Sequence, residues 1–142
     1  MNKRALLGLI LALMLVPAVS IIAAPVVGDY ANPMDVEMGD PYVFLDNGTY
    51  YLYGTVSGWN FEVWSSPDMM NWKYRGVALP QQAYGINSYW APEVYKQGTT
   101  YYMFYACRAS DNVLRICVAT ASSPLGPFSN AAAPLHHSTA VP

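Results

Sequence analysis

The sequence predicts an all-β protein of β-propeller type, and three observations carry that prediction. Two segments repeat at a nearly fixed offset: Pro41 and Pro92 stand 51 residues apart, as do Tyr50 and Tyr101. Each segment divides into four short runs rich in Tyr, Val, Phe and Thr, punctuated by Gly, Asn and Pro. Nothing after the first 20 residues shows a helical apolar period. A repeat of roughly 40–50 residues holding several short strands is the pattern of propeller blades.

The elements follow in order. Residues 1–20 read as an export leader: Lys3-Arg4 is basic, Ala5 to Val16 is apolar, Pro17 ends the run, and Ala18-Val19-Ser20 offers small residues for cleavage. An uncleaved anchor is the alternative, since the apolar stretch nearly reaches the length of a bilayer span. Residues 21–142 then form the propeller part. In the first unit, strands are expected at Tyr42–Leu45, Tyr50–Thr55, Phe61–Ser65 and Trp72–Val77. Asp46-Asn47-Gly48 marks a tight hairpin, because Asn-Gly accepts the positive φ such turns require. It also makes Asn47-Gly48-Thr49 match a glycosylation acceptor, although the turn alone accounts for it. In the second unit, strands are expected at Glu93–Lys96, Thr100–Cys107 and Leu114–Ala121, with a short one from Pro127. The second strand of each unit is apolar at consecutive positions, as a strand buried on both faces would be.

Composition narrows the function. With Lys3 and Arg4 in the leader, five basic against nine acidic side chains leave a charge of about −4, which disfavours nucleic acid or an anionic membrane as partner. Charged residues are 11% and aromatics 14% of the chain, so it is neither disordered nor highly charged. A leader followed by no second hydrophobic span points to a secreted or periplasmic product free of the membrane after cleavage. Cys107 and Cys117 lack zinc-site spacing. With the hairpin tip at Asp111-Asn112 they would lie opposite each other, either as a cross-strand disulfide or as two reduced core thiols.

Two blades cannot close a ring. The chain therefore reads as the N-terminal part of a longer protein whose next unit would begin near Pro142; the alternative is a small two-sheet domain that closes on itself or oligomerises. Asp40 is the most suggestive carboxylate, since it starts the innermost strand, where blade ends crowd around the axis, and Pro41 stiffens its backbone. A turn-capping Asp is the competing reading. Glu93, within Trp90-Ala91-Pro92-Glu93, is expected at the corresponding place in the second unit. Trp90 and Trp59 are candidate platforms for stacking on a sugar face, or core residues. The other acids, Asp29, Asp35, Glu37, Asp46, Glu62, Asp68 and Asp111, read as solvated, and His136-His137 lacks the further ligands a metal needs.

Gly39-Asp40-Pro41, Gly48-Thr49-Tyr50-Tyr51-Leu52-Tyr53-Gly54-Thr55, Val63-Trp64-Ser65-Ser66-Pro67-Asp68, Asn71-Trp72, Trp90-Ala91-Pro92-Glu93 and Ser123-Pro124-Leu125-Gly126-Pro127-Phe128, in this order and spacing, resemble glycoside hydrolase family 43. The resemblance implies a five-bladed propeller acting mainly on arabinose- and xylose-containing polysaccharides, with inversion at the sugar. It implies that Asp40 is the general base, that Trp90 walls the sugar pocket, and, more loosely, that Trp59 adds a second wall while Glu93 supports the pocket. The pKa-tuning Asp and the general acid Glu of the family fall beyond Pro142, so the chain alone is expected to be inactive. No cofactor is required; a central cation such as calcium, found in some members, would be held by later blades. A non-catalytic carbohydrate-binding fragment of the same fold is the alternative.

Overall fold

The computed structural model describes residues 35–82 and 84–130. The expected leader at 1–20, Asp29 and His136-His137 lie outside the described residues. Every regular element within them is a strand, in two four-stranded antiparallel sheets whose strand order follows the chain. The first sheet holds β1 (Gly39–Asp46), β2 (Thr49–Thr55), β3 (Phe61–Ser66) and β4 (Lys73–Leu79). The second holds β5 (Asn87–Gln97), β6 (Thr100–Arg108), β7 (Leu114–Ala121) and the short β8 (Ser129–Asn130). These are the two units of the repeat, folded as successive blades with β1 and β5 as neighbouring inner strands.

Turn chemistry sets the hairpins. Asn47 and Gly48 take φ of 47° and 75°, the doubly positive pair of a type I′ turn. At the equivalent turn of the second sheet Gly98 alone is positive, at 59°, the pattern of type II′. Ser66-Pro67-Asp68 closes the β3–β4 link. The Asp68 carboxylate accepts the amides of Met70 and Asn71, the Asn71 side chain and the Ser66 hydroxyl. Those donors, the Asn71 amide first, hold it well below the ordinary carboxylate range.

The core lies between the sheets. Phe61 meets Tyr89 and Tyr105 edge-on at ring separations of 5.9 and 5.5 Å, while Tyr89 and Tyr105 stack at 5.5 Å. Val63, Leu79, Met103 and Phe128 complete the packing, and each large apolar side chain buried there contributes roughly 1.5–3 kcal/mol. Polar bonds run along the same seam: Tyr42 donates to the Val94 carbonyl at 3.0 Å, and Tyr53 to that of Pro124 at 2.5 Å. The Phe128 amide reaches the Ala78 carbonyl at 2.7 Å. Gly126, at φ 78°, lies so close to that carbonyl that a Cβ would collide with it.

Several expectations change. Consecutive burial holds in β2, where Leu52, Tyr53 and Gly54 are all enclosed and Met38 lies across Gly54 on the outer side. β6 instead alternates: Tyr101, Met103, Tyr105 and Cys107 are buried, while its other side faces an uncovered surface beside exposed Tyr95 and Ile116. Asp46 is not solvated, since it accepts from Lys96 at 2.7 Å and from Tyr101 at 2.6 Å across the blade seam. The β6–β7 hairpin pairs Cys107 with Arg115 and Tyr105 with Cys117. Its centre falls at Asp111, so the cysteines are diagonal neighbours rather than opposite each other.

Candidate active site

Backbone irregularity builds the site. Between Gly39 and Tyr42 the β1–β2 register slips by one residue, and Asp40 sits on that bulge at φ 46°. Left-handed backbone is uncommon outside Gly, and Asp is among the residues that tolerate it. Bulges of this kind re-aim a side chain away from the ladder. β5 slips twice, between Asn87 and Trp90 and again between Trp90 and Glu93, with Ser88 at φ 56° and Ala91 at 50°.

The two bulges correspond. Ala91, not Glu93, is the structural counterpart of Asp40: each precedes a proline, sits on a bulge and takes a positive φ. Glu93 lies two residues further on, opposite Phe104. It lines a shallow cavity of about 200 Å³ with Ala91, Phe104, Ala106 and Ile116 on the outer side of the second sheet. The second unit thus carries no carboxylate at the position Asp40 holds in the first.

Thr55 joins the two bulges. Its hydroxyl donates to Asp40 Oδ2 at 2.9 Å and accepts the Ala91 amide at 3.1 Å, so one side chain ties the carboxylate of the first blade to the Trp90-Ala91 backbone of the second. The other Asp40 oxygen has no hydrogen-bond partner among the described residues. Sequence reasoning missed Thr55; the signal was its place at the end of β2, paired with Gly39 just before Asp40.

The tryptophans gather at the same end. Trp59 is 52% and Trp90 40% exposed, so neither is core. The loop bearing Trp59 is folded by Ser57, whose hydroxyl donates to Asn60 Oδ1 and accepts the Trp59 amide. Next to it, the Gly58 carbonyl accepts the Tyr89 amide at 3.0 Å, which fixes this loop against the residue preceding Trp90. The structure therefore brings Asp40, the Trp59 loop and the Trp90-Ala91 segment to one mouth, with Glu93 on its outer flank. Among the described residues no group of three or more His, Cys, Asp or Glu side chains is gathered as a metal would require.

Chemically, this is an exposed carboxylate held by one hydroxyl on a left-handed bulge, at the same end of the blades as two exposed tryptophans. It can accept a proton and orient a water, and the indoles can cover an apolar ring face.

The family model for glycosyl hydrolases family 43 matches residues 30–139. The extracellular exo-α-(1→5)-L-arabinofuranosidase of Cellvibrio japonicus is 28% identical over 102 residues, covering 66% of this chain and 29% of that protein. A thermostable family-43 glycoside hydrolase of known crystal structure superposes with a TM-score of 0.73 at 39% identity, over 78% of this chain and 38% of its own. The endo-arabinase of Bacteroides thetaiotaomicron superposes with a TM-score of 0.61 at 26% identity, over 76% of this chain and 38% of its own. The chain thus spans well under half the length of each of these relatives. With its two-blade architecture and a family match running across both blades, the chain belongs to glycosyl hydrolases family 43.

Proposed function

We propose that this chain supplies the base side of an inverting glycoside hydrolase that cleaves arabinose- or xylose-containing saccharides outside the cytoplasm. Asp40 acts as general base: it accepts a proton from a water that attacks the anomeric carbon from the face opposite the leaving group. Trp90 and Trp59 wall the sugar, and Glu93 supports the pocket from its flank. The general acid would stand about 6.5–9.5 Å from the base to leave room for that water. It comes from a part of the protein other than the described blades, so the 142-residue chain alone is inactive. No cofactor takes part in the proton transfers; a cation such as calcium, where present, would sit on later blades. The leader at 1–20 directs export, in keeping with the extracellular arabinofuranosidase relative.

The observation that carries the proposal is the bulged, left-handed Asp40, held by Thr55 at the mouth where both exposed tryptophans gather. The test is Asp40→Asn in the full-length protein, with turnover of arabinose- and xylose-linked substrates and sugar binding measured side by side. A drop in kcat of about 10²–10⁴-fold with binding retained is expected. Unchanged turnover would remove Asp40 from the mechanism, and an unsubstituted protein that binds sugar without any turnover would make this a binding module.

A further inference from the structure

Away from that mouth, the inner face of the second sheet holds a cluster that the proposed reaction does not use. Cys107 and Cys117 are both fully buried, and their sulfurs lie 3.0 Å apart although the residues are diagonal across β6 and β7. Closing them into a bond of about 2.05 Å needs an approach of only about 1 Å. Arg115, two residues before Cys117 and on the same face, is nearly enclosed. Its two terminal nitrogens fork onto Asp111 at 2.6 Å each, and its Nε is buried with no hydrogen-bond partner among the described residues.

We propose that Cys107 and Cys117 are a disulfide-forming pair, closed by exchange with an external disulfide, which staples β6 to β7 directly behind the Trp90 segment. The placement explains the choice of site. A Cβ on Gly85 would touch the Cys107 sulfur at 3.0 Å and the Tyr89 hydroxyl at 2.8 Å, so the thiol packs under the link that leads into Trp90. Tyr89 holds that link by accepting the Gln82 amide and donating to the Gly85 carbonyl. Neither thiol has space to carry a bulky adduct there, whereas a bond between them occupies less volume than two thiols.

The chemistry balances with an oxidant of the form R–S–S–R, small-molecule or protein-borne. Cys117 as thiolate attacks one sulfur of R–S–S–R, giving a mixed disulfide and releasing RS⁻. Cys107 then loses its proton and attacks the Cys117 sulfur, releasing the second RS⁻. Two thiols are oxidised, one external disulfide is reduced, and the two thiol protons end on the two RSH released. The same balance holds with Cys107 attacking first, since either sulfur can be the donor in their contact. Both sulfurs are sealed in the folded sheet, so exchange takes place while the hairpin is forming or open. The pair needs an oxidising compartment to persist, which fits the expected export leader.

The test uses the chain equilibrated with excess oxidised glutathione near its denaturation midpoint, where the hairpin opens and recloses. It is then returned to native buffer, unfolded, blocked with N-ethylmaleimide and digested with trypsin without reductant. Trypsin cuts after Arg108 and Arg115, separating the cysteines into residues 97–108 and the peptide that begins at Ile116. Expected are these two peptides joined, about 2 Da lighter than their sum, and separating on reduction. In Cys107→Ser, Cys117 should carry only the maleimide or glutathione. Both cysteines blocked by maleimide, or each bearing its own glutathione, in the unsubstituted chain would overturn the proposal.

Discussion

Phe61 offers the sharpest test of how the two blades hold together. Its ring is fully buried and its edges meet Tyr89 and Tyr105 of the other sheet at 5.9 and 5.5 Å. Phe61→Ala removes a whole aromatic side chain from a closed interface, and such truncations cost about 3–5 kcal/mol in transfer and cavity terms. The two edge-on pairs, at about 0.5–1.5 kcal/mol each, are part of that loss. Since domains of this size are stable by only about 5–15 kcal/mol, the Ala variant will sit close to unfolding. Phe61→Leu keeps most of the volume and should cost about 1.5–2.5 kcal/mol, between a conservative swap and full truncation. Tyr74→Ala is the control: Tyr74 pairs edge-on with Trp64 at 5.4 Å but on the outer face, where it is 51% exposed. Its loss should stay below about 1 kcal/mol. Urea unfolding followed by tryptophan fluorescence gives all three values. If Phe61→Ala costs no more than Tyr74→Ala, the sheets do not share a core and the argument from ring contacts fails.

Other outcomes follow from single contacts. Gly126→Ala places a Cβ against the Ala78 carbonyl at a positive φ, and should cost about 2 kcal/mol or more, read as a lowered urea midpoint. Thr55→Val removes the hydroxyl that holds Asp40 and accepts the Ala91 amide; hydrogen exchange at Ala91 should accelerate, while Thr55→Ser keeps it slow. Asp46 is held below its ordinary value of 3.8 by the bond from Lys96 and then that from Tyr101. A depressed carboxylate stabilises the fold above its unfolded pKa and loses that contribution as pH falls through the folded one. Stability should therefore decline below pH 3.8, and Asp46→Asn should flatten part of that acid limb in a series of urea midpoints. Asp111, held at about 2 by the Arg115 fork, should add to the same decline between pH 3.8 and about 2, and Asp111→Asn should remove its share.

Much of the fold was legible because it rests on local chemistry. Asn47-Gly48 and Gly98 dictate hairpins, and the 51-residue offset between Tyr50 and Tyr101 repeats a packed strand in each blade. The inner strands were read too short, β5 by seven residues, six of them at its start up to and including Pro92. Proline lacks the ladder donor and is confined to edges and bulges, and here it lies on a bulge inside the strand. One misalignment displaced the site: Glu93 was set against Asp40, yet the 51-residue offset that carries Pro41 onto Pro92 carries Asp40 onto Ala91, and the bulges of β1 and β5 agree with that count. The Thr55 link was hidden because its partners are 15 and 36 residues away, and no local pattern announces such a bond. Asp46 looked like a turn acid for the same reason, its partners Lys96 and Tyr101 being 50 and 55 residues distant.

The seam between the blades also bears on how quickly the protein reaches this state. Tyr53 bonds to Pro124 across 71 residues, and the Phe128 amide bonds to Ala78 across 50. Each hairpin closes locally, within microseconds. The clasp between blades forms only after long stretches of chain have lost their freedom, a search that slows folding in proteins rich in distant contacts. Until it forms, two half-covered sheets present aromatic surface to one another and to neighbouring chains. Crowding many such chains together while they fold therefore favours aggregation, and slow dilution favours recovery of the native pair.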